Sequence, residues 1–397
     1  MGIFLAVIIP SREIDFRLAV RLIIPVLYLC LFFNLFAGFF LGLNFEKIME
    51  SYPYLLMILP GLMGLRGNVF GSLCSRLSTA FYLGFSEPTF KDAYVYKNAF
   101  FSVWASAIPI LVLLIIGFLK IRDFDGFVIS TQISIVSGVL IGILLSFASI
   151  TIVITAFRKF IDPDSISGPV ITSIADLVTI PSLILFIFIF ESNFLLPLTL
   201  IAILLLFLSF ILSLGKEYRR MQKEVVSIVI VLGIFQSFTG GFLEEFSEIV
   251  YLSFFMSFAY PAIIDTLGNY GSIIVARTAT KLNLGEIERK SIGEIVGDLR
   301  AILPTSLFIF PFVSLTPIAI SYFVFDVLIL NPISLFIFFI SFLLVVFFVI
   351  LMAFYLATIL HTLHIDPDNG GIPLITTLAD MLGTVYAVAI AYIFISI

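Results

Sequence analysis

Two aspartates interrupt apolar stretches at matching places, Asp176 in PVITSIADLVT and Asp380 in PLITTLADMLG. Each follows a proline, Pro169 or Pro373, by seven residues, so on a helix rising about 1.5 Å per residue the carboxylate lies roughly 10 Å beyond it. Thr172 and Thr376 precede the acids by four positions, and Thr179 and Thr384 continue the same faces, which draws a polar stripe along an otherwise apolar helix. An ionised carboxylate at mid-bilayer depth costs roughly 2.5 to 3.5 kcal/mol on insertion scales, and here it is placed twice. Two such groups brought together repel each other unless a cation or a shared proton lies between them. The alternative is a buried aspartate satisfied by nearby hydroxyls or a salt bridge, but neither helix contains a basic residue. The expected chemistry is cation binding at Asp176 and Asp380.

The acids belong to a larger duplication. Pro60 to Gly84 reappears as Pro261 to Gly285, shifted by 201 residues, and Asp162 to Asp176 reappears as Asp366 to Asp380, shifted by 204. Two motifs recurring at nearly one spacing imply a repeated unit of about two hundred residues. Asn68 and Asn269, each behind a glycine (Gly67, Gly268), form a second equivalent pair. Their amides can hydrogen-bond the water shell of an ion, or serve only helix packing. Arg76 and Arg277 are expected to snorkel to headgroups or cap loops. Gly64 is matched by Asp265 and Arg66 by Leu267. These opposite charges can pair across the repeats, or Asp265 can act as a third ion-facing carboxylate. The Asp-Pro-Asp pairs (Asp162, Asp164; Asp366, Asp368) read as helix-start turns or as ion contacts at the mouth of the same helices. His361 and His364 have metal-ligand spacing, but Phe157 and Phe160 stand in the equivalent places, so an interfacial role is favoured.

Composition determines which elements must carry these residues. With 61% hydrophobic and 12% charged residues and a mean hydropathy of +1.21, the chain cannot cover a soluble globule and is a polytopic membrane protein. The two cysteines, Cys30 and Cys74, fall in apolar segments and read as core residues. The apolar first ten residues lack signal-peptide features and read as an interfacial stub. Spans are expected near 17–43, 52–83, 98–119, 127–157, 168–190, 194–214, 225–243, 249–281, 301–325, 331–362 and 372–396. Five spans is an odd number, so the lone span at 194–214 gives both repeats the same orientation. The fold class expected is all-α, with two parallel five-helix repeats joined by an extra helix and related by a pseudo-two-fold axis along the membrane normal. The boundaries are 1–190 for the first repeat, 191–223 for the linker helix and loop, and 224–397 for the second repeat. Pro60, Gly61 and Gly67, with Pro261 and Gly268, suggest tilted or broken helices in the second span of each.

Charge tests the topology. Arg12, Arg17, Arg21, Lys91, Lys97, Arg158, Lys159, Lys216, Arg219, Arg220, Lys223, Lys281, Arg289, Lys290 and Arg300 fall on the N-terminal side, against Lys47, Lys120 and Arg122 on the other. This bias places the N-terminus in the cytoplasm and the C-terminus outside, in the plasma (cytoplasmic) membrane. The outer loops instead collect acids, including Glu46, Glu50, Asp123, Asp125, Glu244, Glu245 and Glu248, which concentrate cations at a vestibule or merely keep loops soluble.

The pattern Pro60, Gly67-Asn68, Ser75 to Thr79, then Asp-Pro-Asp, Gly-Pro, Thr172 and Asp176, present twice, resembles the membrane domain of the MgtE magnesium transporter family. The tandem form is most similar to solute carrier family 41. The resemblance implies a fused pseudo-dimer of five-helix units with a cation pore on the two-fold axis, and the final acid as its ion site, here Asp176 and Asp380. The magnesium-sensing domains of bacterial members have no counterpart in the chain, so their gating does not carry over. Independently, Mg²⁺ demands oxygen ligands and keeps its waters, which suits two carboxylates ringed by Thr and Asn without thiolates.

The expected function is therefore a Mg²⁺ transporter or channel, not an enzyme, with a central pore between the repeats. Asp176, Asp380 and Asp265 would serve as carboxylates, with Thr172, Thr376, Asn68 and Asn269 around the hydrated ion. Its expected partners are Mg²⁺, other divalent cations and the lipid bilayer, with no nucleic acid, and the single chain works as a pseudo-dimer. A Na⁺- or H⁺-coupled Mg²⁺ exchanger is the alternative. An aspartyl intramembrane protease is a remote one, since Ala175-Asp176 and Ala379-Asp380 fit neither of that family's motifs.

Overall fold

In lipid every backbone N–H and C=O must find a partner within the protein, so a chain this apolar resolves into helices. A computed structural model of the chain describes residues 16–159, 163–191, 195–215, 218–283, 292–326, 331–363 and 367–396. Among the described residues the regular structure is entirely helical. The helices are α1 (Phe16–Ser51), α2 (Pro53–Tyr82), α3 (Ala93–Ala105), α4 (Ala107–Ile121), α5 (Phe124–Arg158), α6 (Pro163–Glu191) and α7 (Leu195–Ser213). They continue as α8 (Arg219–Glu245), α9 (Ser247–Leu252), α10 (Phe255–Asn283), α11 (Ile292–Ile302), α12 (Ser306–Phe325), α13 (Pro332–Thr362) and α14 (Pro367–Ser396).

Ten stretches among the described residues are long and apolar enough to cross a membrane. Helix α10, with 29 residues, matches the expected span at 249–281, but Asp265, Asn269 and Arg277 make it more polar than those ten. The protein is an all-α polytopic membrane protein. The stub, Asp162, Asp366 and His364, together with the side chains of Asp164 and Asp368, lie outside the described residues.

Pro60 and Pro261 do not break their helices; α2 and α10 run through them. A membrane helix tolerates the lost hydrogen bond where neighbouring helices hold it in place. The breaks fall in the following span instead. Helices α3 and α4 meet at Ser106, and α11 meets α12 through a 3-10 turn at Leu303–Thr305, the corresponding place in the second repeat. Helices α4 and α12 also end alike, on the left-handed residues Arg122 (φ 60°) and Asp326 (φ 53°).

Packing divides the chain into two compact units, one of residues 1–42 with 246–397 and the other of residues 43–245. The expected repeats follow the duplicated motifs in the sequence, whereas these units follow where side chains bury one another. Each unit is completed by the leading helix of the other repeat. In the unit of residues 43–245, α8 lies along α2 and α4, and Val229 of α8 joins a core with Val69, Phe70, Leu73 and Cys74 of α2. Gly240 makes this possible, because a Cβ there would run into the Met57 carbonyl. In the other unit a Cβ at Gly38 of α1 would likewise run into the Phe258 carbonyl of α10. Small residues bring membrane helices into backbone contact in this way. Cys30 and Cys74 are both buried and form no disulfide among the described residues, as their apolar surroundings predict.

Candidate functional site

Within the unit of residues 43–245, the stripe on α6 faces α2. Asp176 is 5% exposed, Thr179 fully buried and Thr172 partly exposed. Gly67 of α2 lets the helices approach here, since a Cβ would lie 2.6 Å from Thr172 Cγ2. Arg66, only 1% exposed, donates from Nη1 to Thr179 Oγ1 at 2.8 Å, and Thr179 in turn donates to the Ala175 carbonyl at 2.6 Å. Arg66 Nε and Nη2 have no hydrogen-bond partner among the described residues, and Asp176 precedes Thr179 by three positions on α6. A buried guanidinium so sparsely hydrogen-bonded is costly unless an acid lies near it. Asn68 sits partly buried on the same helix.

The unit of residues 1–42 and 246–397 uses the same scaffold with different chemistry. Asp380 is 6% exposed on α14. Thr384, a turn later, donates to the Asp380 carbonyl at 2.7 Å and meets the Tyr260 hydroxyl at 2.9 Å. Thr376 bonds the Ile372 and Pro373 carbonyls and faces Gly268 of α10, with 3.8 Å from a Cβ there to its Cγ2. Where Arg66 meets Thr179, this unit has Leu267 against Gly383. Where Gly64 stands, it has Asp265, whose Oδ2 accepts from Asn269 Nδ2 at 2.7 Å and from Asn34 Nδ2 at 2.8 Å.

The structure thus joins Asp265 to Asn269, and each of the unmatched charges, Arg66 and Asp265, is held by partners in its own unit. Sequence reasoning overlooked Asn34 and the Tyr260–Thr384 contact. The signal for Asn34 was available, because it is the one amide in the apolar run 22–42, and Gln236 holds the matching place in α8. Arg76 and Arg277, expected to snorkel to headgroups or cap loops, have polar partners in their own units. Arg76 donates to Asn98, Ser72 and Ser102, and Arg277 pairs with Asp298 at 2.7 Å, with Lys281 behind at 3.6 Å. Polar partners inside each unit satisfy these guanidiniums better than a reach to the headgroups. No cluster of three or more metal-ligating His, Cys, Asp or Glu occurs among the described residues. The polar groups on the two stripes are carboxylates, hydroxyls and amides.

Two segments, residues 59–186 and 260–390, match the family described as MgtE: Divalent cation transporter. The chain belongs to the MgtE family. Together the matched segments take in both carboxylate stripes and both glycine approaches. This MgtE-family chain is 25% identical over 413 residues to solute carrier family 41 member 3 of Mus musculus, covering 94% of the chain and 82% of that protein. The Rattus norvegicus member 3 is 26% identical over 362 residues, covering 83% and 77%. Solute carrier family 41 member 2 of Homo sapiens is 25% identical over 181 residues, or 43% of the chain and 31% of the relative. No solved structure matches the chain. The protein is a divalent-cation transporter of multi-pass helical form, not an enzyme.

Proposed function

We propose that this transporter carries Mg²⁺, held through its water shell by the intramembrane carboxylates Asp176 and Asp380. The observation that carries this reading is that these acids, 5% and 6% exposed, occupy equivalent places on the polar stripes of two spanning helices in a divalent-cation transporter. A small hard cation that gives up water reluctantly suits isolated oxygen groups better than a softer metal, which would favour thiolate or imidazole. Thr172 and Thr376, partly exposed above the acids, meet the hydrated ion first. Asn68, Asn269 and Asp265 complete the polar lining. The basic bias of the N-terminal-side loops supports a plasma-membrane orientation with the N-terminus in the cytoplasm. The twofold sequence supports a single chain acting as a pseudo-dimer.

The test is Mg²⁺ flux into proteoliposomes. Asp176→Asn combined with Asp380→Asn abolishes flux while the protein still elutes as a folded species. Undiminished flux in that variant removes the aspartates from the transport path.

A further inference from the structure

The two carboxylate stripes share a fold but not a charge. In the unit of residues 43–245 the equivalent positions supply Gly64, Arg66, Asp176 and Thr179; in the other they supply Asp265, Leu267, Asp380 and Gly383. The first set holds one basic and one acidic side chain, the second two acidic ones and no base. No Lys or Arg occurs over 22–42, 246–276 or 306–396, so the second set has no guanidinium or ammonium of its own at that depth. Arg66 is 1% exposed and anchored to Thr179 at 2.8 Å, on the same helix face as Asp176. Asp265 is turned the other way in its chemistry. Asn34 and Asn269 each give it an amide N–H, so neutral donors rather than a cation hold that carboxyl group in place.

We propose that Arg66 is a tethered cation standing in for the transported ion at Asp176, so that resting affinity for a divalent cation rests on Asp380 and Asp265. The inference rests on the reading of the aspartates as ion-holding groups. Its geometric support is the pairing of side chains: where one unit fits an arginine against a threonine, the other fits a leucine against a glycine, with 3.2 Å from a Cβ at Gly383 to the Leu267 side chain. The two pairs are alternative fillings of one position, one charged and one neutral. Arg66 must leave, or share Asp176, before an ion can settle there.

The experiment is a calorimetric Mg²⁺ titration of the purified full-length protein, paired with flux. Asp380→Asn alone weakens Mg²⁺ binding by about tenfold or more. Arg66→Leu with Thr179→Gly, the pair already accommodated in the other unit, tightens binding or adds a second equivalent of Mg²⁺, and adding Asp176→Asn removes that gain. Should the paired variant fail to fold, Arg66→Met, which keeps an unbranched side chain without the charge, carries the same test. An Arg66 variant with unaltered affinity and stoichiometry overturns the proposal, as does wild-type binding in Asp380→Asn. Persistent flux in the double aspartate variant overturns the transport reading itself, a different result from equal binding with and without Arg66.

Discussion

Helices α2 and α6 on one side and α10 and α14 on the other descend from one sequence, yet they have solved the problem of a buried acid in opposite ways. The first pair is tight and holds a base beside its acid, with Gly67 drawn onto Thr172 and Arg66 bonded to Thr179, three positions after Asp176. The second is looser at the same point, Gly268 standing 3.8 Å from Thr376, and carries Asp265 besides Asp380. Duplication within one chain frees each copy from the constraint that identical subunits share, since a charge placed in one is not repeated in the other. An arginine introduced in a true homodimer would appear in both subunits.

Exchanging the chemistry is the strongest way to break this comparison. Leu267→Arg with Gly383→Thr brings a guanidinium to Asp380 and lowers Mg²⁺ flux by about tenfold or more, measured in proteoliposomes. Wild-type flux in that variant would mean the two acids are insensitive to a neighbouring cation. Asn34→Ala removes one amide from Asp265 and destabilises its unit by about 1.5 to 3 kcal/mol, the range for hydrogen bonds to charged groups, read from the unfolding midpoint in detergent. The comparison sharpens at the glycines. Gly67→Ala forces Thr172 aside and costs about 1 to 3 kcal/mol, whereas Gly268→Ala has ordinary contact distance and is close to neutral. Equal melting temperatures for the two would erase the difference in packing.

The smallest effect lies between spans. Asp92 caps α3, accepting from the backbone N–H of Tyr94 at 2.9 Å and of Val95 at 3.4 Å. Burial pushes its carboxyl up, but hydrogen bonds from Ser86 and from the Glu87, Tyr94 and Val95 amides together hold it below the ordinary 3.8. A depressed carboxylate contributes stability above its unfolded value and loses it as pH falls through the lower folded one. Asp92→Ala therefore costs about 1 kcal/mol at neutral pH, and its melting curve converges on that of wild type once the pH is well below 3.8.

Much of this was legible in the residues. Lipid leaves the backbone no choice but helices, so apolar runs located the spans to within a few residues, and a lone acid in such a run marks itself. The duplicated Asp176 and Asp380 needed no coordinates, nor did the mismatch of Arg66 with Leu267. What the chain could not disclose was whom each polar group would meet. Asn34 and Asp265 are 231 positions apart, and no local pattern joins them. Arg277 reads as a terminal, headgroup-seeking arginine until α11 folds back and offers Asp298. Proline was an uneven guide to the breaks, because a kink depends on what surrounds it: α2 and α10 run through Pro60 and Pro261, whereas Pro304 lies in the turn at Leu303–Thr305 and Ser106 has no proline of its own.

The docking of α1 through Gly38 and of α8 through Gly240 has a bearing on how the chain is made. Helix α1 leaves the ribosome first but must wait, its glycine face uncovered, until α10 has been synthesised more than two hundred residues later. The early bundle stays unfinished until α8 arrives. Cut between α7 and α8, the gene would yield two products that are each missing a wall, degraded when expressed singly and rescued only when made together in one cell.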